Sequence, residues 1–392
     1  MTTSAEPSGA ARAIALGAAL LVGVNLRPAI TSVSTLLDHI STTFALGDTG
    51  TGILATLPIV VFGVSAPLGP LLARRIGTSR ALLAAMVVLA VALALRVVDG
   101  WMLVPGTFLA GAAIMVGATL IPPFLKSLNA SGLWVGLSTM SFGVGAALGA
   151  GLSVPLERAL GGTAQALASW AVLAVLAAAV LLLVGRGADV AAQGRPRITI
   201  ASDNRLTVVI MTAVFSLQSL LYFAVTTWLP SMLAERGTDP ATTGWLLGWF
   251  SLIGLIPSLV APVIARRRRA LTWFGPGLGV AMAAGYAWFA LSTGTDAAVV
   301  SWLGIVQNAG FGLAIGLLVS LAADAPSAGI LSAIAQGVGY AVAGVGSLLL
   351  GLLHDATGGW TASILVMAIL GIALSACTAL VIRRRPVSLI AG

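Results

Sequence analysis

Apolar residues along this chain come in long unbroken runs rather than in alternation. Twelve such runs, at about 13–37, 50–73, 79–98, 102–125, 132–155, 165–185, 206–233, 242–265, 271–292, 297–322, 329–353 and 360–382, are each bounded by charge, proline or glycine. A helix needs about 20 apolar residues to cross the hydrocarbon core of a bilayer, and most of the runs reach that length. Barrel strands would instead show ten-residue segments of alternating hydrophobicity. The pattern predicts an all-α polytopic membrane protein with twelve transmembrane helices. The first run is expected to be a retained helix and not a cleaved signal, because Glu6 offsets Arg12 ahead of it and an arginine stands in its middle.

The charges between the runs orient the chain. With the N-terminus placed in the cytoplasm, the inner side collects Arg12, Arg74, Arg75, Arg80, Lys126, Arg186, Arg195, Arg197, Arg205, Arg266 to Arg269 and Arg383 to Arg385, which is 16 of the 20 basic residues. The outer side keeps Arg96, Arg158 and Arg236 with most of the acids: Asp38, Asp48, Asp99, Glu157, Glu235, Asp239, Asp296 and Asp355. This is a positive-inside distribution, and it places both termini in the cytoplasm. Nineteen of the 20 basic residues are arginine and alanine is abundant, the codon signature of a GC-rich bacterial genome. The expected location is therefore a bacterial cytoplasmic membrane.

A polar gap at 186–204 falls at the midpoint and reads as a cytoplasmic linker between an N-terminal six-helix bundle, 1–185, and a C-terminal one, 205–392. The halves resemble each other. At an offset of 192 residues, Gly52, Leu54, Pro70 and Ala73-Arg74-Arg75 fall on Gly244, Leu246, Pro262 and Ala265-Arg266-Arg267. At 194, Gly143-Val144-Gly145 falls on Gly337-Val338-Gly339. Two parallel six-helix repeats are the architecture of a major facilitator transporter, whose solute is held near the midplane between the halves.

Composition narrows the function. The chain is 58% hydrophobic and 8% charged, against about 25% charged in soluble domains, which excludes an ordinary soluble enzyme and also disorder. The net charge of +8 does not point to nucleic acid, because the basic residues lie in short clusters between apolar runs. One cysteine, Cys377, excludes an intrachain disulfide and a cysteine metal site. No cofactor and no metal are expected. The cluster Arg266 to Arg269 reads as an orientation signal, with anionic-lipid binding the other reading.

The residues with chemistry to offer are few. Arg27 lies near the bilayer centre of the first run, where an arginine costs about 2.5–3.5 kcal/mol on the mildest scale. Pro28 follows it, cannot donate to the carbonyl of Val24, and turns Arg27 away from helical geometry. Broken helix at membrane depth is tolerated only where it lines protein or a cavity, so the pair reads as an anion site. The other reading is that Arg27 snorkels or caps a neighbouring helix. Thr31 is one turn further on the same face, a second donor, whereas Asn25 either joins the site or bridges helices. No Asp or Glu lies deep in any run, and His39 and His354 are peripheral. One charge attracts another by roughly 4 kcal/mol at 4 Å and an effective dielectric near 20, enough to select an anionic solute or one with an electronegative edge.

In the second half, Gln218 and Tyr222 are four residues apart, on one helix face, and Gln336 and Tyr340 repeat that spacing. Gln307 and Asn308 are adjacent. Amides and phenols orient a small planar polar ligand through directional hydrogen bonds, or serve as interhelical contacts worth about 0.6 kcal/mol each. Trp228-Leu229-Pro230 and the glycine-rich runs at 143–151 and 337–346 read as packing and gating elements.

On these residues the chain resembles the cyanate permease and 2-nitroimidazole transporter branch of the major facilitator superfamily. The likeness is carried by Asn25-Leu26-Arg27-Pro28 with Thr31-Ser32-Val33, by Thr227-Trp228-Leu229-Pro230, and by Gln336-Gly337-Val338-Gly339-Tyr340 with Ala343-Gly344. It implies alternating access by rocking of two bundles and a small anionic or polar planar solute. The superfamily signature between the second and third helices is kept loosely. Gly69 and Arg74 fit it, Ala73 stands where an aspartate is typical, and Gly77 is one position late. The reading is a monomeric transporter in the lipid bilayer with Arg27 as anchor; uniport, proton symport and exchange all remain open. Efflux of a neutral nitroheterocycle is the second transport hypothesis. A membrane enzyme or sensor is the third, disfavoured because the runs hold no paired acids and no metal set.

Overall fold

The computed structural model describes residues 9–184 and 202–389, so most of the predicted linker at 186–204 lies outside the described residues. The described residues form helices throughout. The first run becomes three helices, α1 (Gly9–Asn25), α2 (Pro28–Thr35) and α3 (Leu37–Thr43), and the second becomes α4 (Asp48–Ser65) and α5 (Leu68–Ile76). Next come α6 (Thr78–Leu95), α7 (Leu103–Ser127), α8 (Gly132–Leu160), and the pair α9 (Thr163–Ser169) and α10 (Ala171–Val184). The second half holds α11 (Ser202–Glu235), α12 (Pro240–Ile253), α13 (Leu255–Ala265), α14 (Arg268–Leu291), α15 (Asp296–Ser320), α16 (Ala325–Thr357) and α17 (Trp360–Ile382).

Among the described residues, eleven spans are long and apolar enough to cross a membrane. The twelfth expected span is the second run, interrupted at Ala66-Pro67 between α4 and α5. Three other spans are also broken, at Leu26-Arg27 between α1 and α2, at Trp170 between α9 and α10, and at Gly254 between α12 and α13. Large apolar side chains face outward all around the molecule, among them Val64, Ile256, Trp273 and Leu291. In water such exposure would be costly; in lipid the surroundings are as apolar as leucine.

Close contacts between the two halves gather at the end that carries Arg74, Lys126 and Arg266 to Arg269. There α8 meets α13 so tightly that the carbonyl of Leu259 occupies the position a Cβ would take at Gly136. Beside it, Gly329 of α16 lies against Pro123 of α7, and the Gln336 amide donates to the Ala118 carbonyl of α7 at 3.1 Å. Small residues let the helix backbones approach this closely.

Candidate solute site

The break in the first span forms where the sequence predicts it. Pro28 has no N–H to continue α1, the amide of Leu26 turns back to Gly23 O at 3.2 Å, and Arg27 takes φ −122° and ψ −38° before α2 begins. The Arg27 carbonyl is then held from α2, by the amides of Ile30 and Thr31 at 3.0 Å each and by the Thr31 hydroxyl at 3.1 Å. Thr31 therefore fastens the backbone of the break.

The half-buried Arg27 side chain leaves the first half and meets rings of the second. Its guanidinium carbon stands 5.9 Å from the ring centre of Tyr222 and 5.7 Å from that of Phe223, both on α11. Contacts of this length are worth about 0.5–2 kcal/mol, more as water is excluded. Among the described residues the guanidinium has no hydrogen-bond acceptor and no ion-pair partner. Five donors without a protein acceptor are what a carboxylate, nitro group or other electronegative edge can fill.

Around this charge the rings form a continuous set. Tyr222 lies 6.0 Å from Phe250 of α12 and 6.1 Å from Phe311 of α15. Phe311 in turn touches Phe142 of α8 at 6.1 Å and Phe215 of α11 at 6.4 Å. Tyr340 of α16 is ringed by Phe62 of α4 at 5.4 Å, Phe215 at 5.6 Å and Phe223 at 5.9 Å. Eight rings from both halves thus converge beside one guanidinium. Among the described residues, the Tyr222 and Tyr340 hydroxyls make no hydrogen bond to protein.

The amides expected beside them are turned elsewhere. Gln218 donates to both the carbonyl and the side-chain oxygen of Gln307 at 3.0 Å. Gln307, fully buried, donates on to the Tyr286 hydroxyl, which donates to Leu221 O at 3.2 Å. That chain joins α11, α15 and α14 inside the second half. Asn308 donates to Gly304 O at 2.9 Å and packs into the space left by the missing side chain at Gly254, stopping the break in the eighth span. Asn25 donates to Leu21 O at 2.8 Å and to Leu173 O of α10 at 3.0 Å, which takes it out of the solute set and makes it a bridge between helices. Gln336 spans the two halves through Ala118. Of the nine expected solute contacts, Arg27, Tyr222 and Tyr340 come together, Thr31 bonds the Arg27 carbonyl, and the five amides donate to other protein groups.

Two features escaped the sequence. The phenylalanines of the ring set stand in apolar runs where nothing in their spacing separates them from core. Arg96, expected in an outer loop, is fully buried at the end of α6, with Nη1 on Ala29 O at 3.1 Å and Nη2 on Leu167 O at 3.2 Å. His39 and His354 lie peripherally as expected, paired with Glu157 at 2.6 Å and Glu235 at 3.1 Å. Among the described residues there is no cluster of acids, histidines and cysteine that could hold a metal.

Comparison with known proteins bears on the family and the fold. The model of the family described as Major Facilitator Superfamily matches residues 19–346. The transporter YycB of Bacillus subtilis (strain 168) is 31% identical over 356 residues, covering 89% of this chain and 88% of its own. The 2-nitroimidazole transporter of Escherichia coli (strain K12) is 28% identical over 396 residues, 96% of this chain and 97% of its own. The cyanate transport protein CynX of the same organism is 25% identical over 358 residues, 87% and 90%. In fold, the chain superposes on the proton:xylose symporter XylE with a TM-score of 0.75 at 15% identity, covering 94% of this chain and 95% of that one.

Proposed function

The chain belongs to the major facilitator superfamily, and from that premise we propose that it carries a small planar solute with an anionic or electronegative edge, with Arg27 as the charge anchor. That it is a multi-pass membrane transporter follows from the family and the spans; the solute and its anchor are our reading. One observation carries it. Arg27 sits at the break of the first span, stands against two rings of the opposite half, and has no protein acceptor among the described residues. An incoming solute supplies the missing acceptor.

The ring set supports a planar solute in particular. A conjugated nitro-bearing ring would stack its electron-poor face on Tyr222, Phe223 or Tyr340, and a linear pseudohalide would pack along the same rings, while the electronegative edge or end meets the guanidinium. The names of the two E. coli relatives are consistent with that chemistry, one a nitroimidazole transporter and the other a cyanate transporter. Transport would proceed by rocking of an N-terminal bundle, 1–185, against a C-terminal bundle, 205–392. By the positive-inside distribution, the end closed by Gly136, Pro123 and Gln336 would be cytoplasmic, so the arrangement is outward-facing. The protein would act as a monomer in the bacterial cytoplasmic membrane, both termini inside. Among the described residues no acid pairs with Arg27, so a co-transported proton would ride on the solute or travel beside it.

Neutral nitroheterocycle efflux is the second reading, favoured by the number of rings relative to the single charge. Uptake into proteoliposomes against a panel of small anions and neutral heterocycles, for the native chain and Arg27→Ala, tests both. The anchor reading expects uptake of charged and nitro-bearing solutes to collapse in the variant. Equal transport by the two proteins would refute it.

A further inference from the structure

We infer that Arg96 is a positioning residue for the solute site, holding α2 in place so that Arg27 faces the rings. This rests on the reading of Arg27 as the anchor. Arg96 is fully buried, its Nε is without a partner, and among the described residues it pairs with no acid. Burying a charge this way is costly, and apolar side chains of similar volume often replace buried ions without loss of stability. Packing alone therefore does not account for an arginine here.

What the guanidinium holds is specific. Nη1 takes the carbonyl of Ala29, two residues beyond Arg27, and Nη2 takes Leu167 O on α9. Helix α2 needs such a hold. It is eight residues long, well under the length at which an isolated helix is stable, and Pro28 severs its amide link to α1. On one side it borders a cavity of about 100 Å³ between Ala29, Ile30, Val33 and Leu37 and the facing Leu54 and Thr107. Packing therefore supports α2 incompletely, and the Arg96 bonds tie it to α6 and α9 instead. The base of Arg96 is itself fixed, because Gly106 of α7 presses on its Cα and Cβ with no room for a side chain between them.

The connection to Arg27 is short and stiff. Two residues span roughly 7 Å at most, and the Arg27 carbonyl is held by three donors of α2 itself. Any tilt of α2 therefore moves the guanidinium against Tyr222 and Phe223. A shift on the order of 1 Å loosens the solute's contact with the guanidinium, a loss of binding that is read in KM.

The test uses the full chain in liposomes, with uptake of cyanate and of 2-nitroimidazole as probes and hydrogen exchange of residues 28–35 as a second readout. Arg96→Met should raise the KM of whichever probe Arg27 serves by about tenfold, leave the maximal rate within about twofold, and speed exchange in α2. Arg96→Lys, which keeps the charge and a donor, should recover most of both, and it replaces the methionine variant if that one fails to insert. In an Arg27→Lys background, which keeps measurable uptake, the Arg96 change should add less to KM than it does alone, since residues acting through one another are not additive. Multiplying effects in the double variant, or a native KM for Arg96→Met while Arg27→Lys raises it, would overturn the proposal. Native transport by Arg27→Met defeats the anchor reading first, and the role of Arg96 in the solute site falls with it.

Discussion

The Arg27 guanidinium stands 5.9 Å from the ring centre of Tyr222, a residue nearly two hundred positions later and in the other half of the chain. Under the proposed rocking of the two halves, the contact would cross the plane along which they separate and would not be equally good in every state. A solute that bridges the guanidinium and the ring gains most when the two are close. On the proposed reading, binding and closure would be coupled through this pair.

Charge and fork geometry at position 27 are separable. Arg27→Lys keeps a cation but loses the planar set of donors. We expect it to retain measurable uptake at a KM raised by about tenfold, whereas Arg27→Ala loses uptake almost entirely. Initial rates in proteoliposomes over a range of cyanate and 2-nitroimidazole concentrations check this, and equal KM values for native and lysine forms would contradict it.

The ring, more than its hydroxyl, should matter at Tyr222. Tyr222→Phe keeps the face presented to Arg27 and should transport within about twofold of native, while Tyr222→Leu removes a contact worth about 0.5–2 kcal/mol and should raise KM severalfold. Phe223→Leu should behave like Tyr222→Leu. A phenylalanine variant as impaired as the leucine one would instead assign the hydroxyl to solute.

Gln307 sits in a closed chain from Gln218 to Tyr286 and should act on stability. Gln307→Leu removes the side-chain bonds to Gln218 and Tyr286, while Gln218 keeps the backbone carbonyl at 307 and Tyr286 keeps Leu221 O; each lost hydrogen bond costs about 0.5–1.5 kcal/mol. The expected outcome is earlier thermal unfolding in detergent with an unchanged KM. A raised KM at native stability would return Gln307 to the solute set.

Closure at the basic end depends on the absence of a side chain at Gly136. Gly136→Val puts a branched side chain where the Leu259 carbonyl lies, so α8 and α13 must part. Transport should drop by more than about tenfold with membrane insertion intact. A cysteine at Ser332, fully buried here, should become open to an impermeant maleimide from that end in the valine background. Protection equal to that in the glycine background would show that closure does not run through this contact.

Hydropathy made the spans legible because crossing a bilayer is a local demand: each segment needs enough consecutive apolar residues whatever its neighbours are. The break after Arg27 was legible for a similar reason, since proline removes a donor wherever it stands. Gln218 and Tyr222 mark the limit of that reasoning. They share one face of α11 by spacing, yet one turn apart they meet different neighbours, so Gln218 is spent on Gln307 while Tyr222 faces Arg27.

By itself, then, the sequence determined a twelve-span carrier with a cation at a helix break and no acid deep in any apolar run. Only the tertiary structure decided which polar side chains satisfy one another and which are left for a solute, and it alone revealed the ring set and the buried Arg96. The physical reason is that hydrogen bonding and ring contact in lipid are settled between helices, by approach distances of a few ångströms. No single helix carries that information in its own pattern.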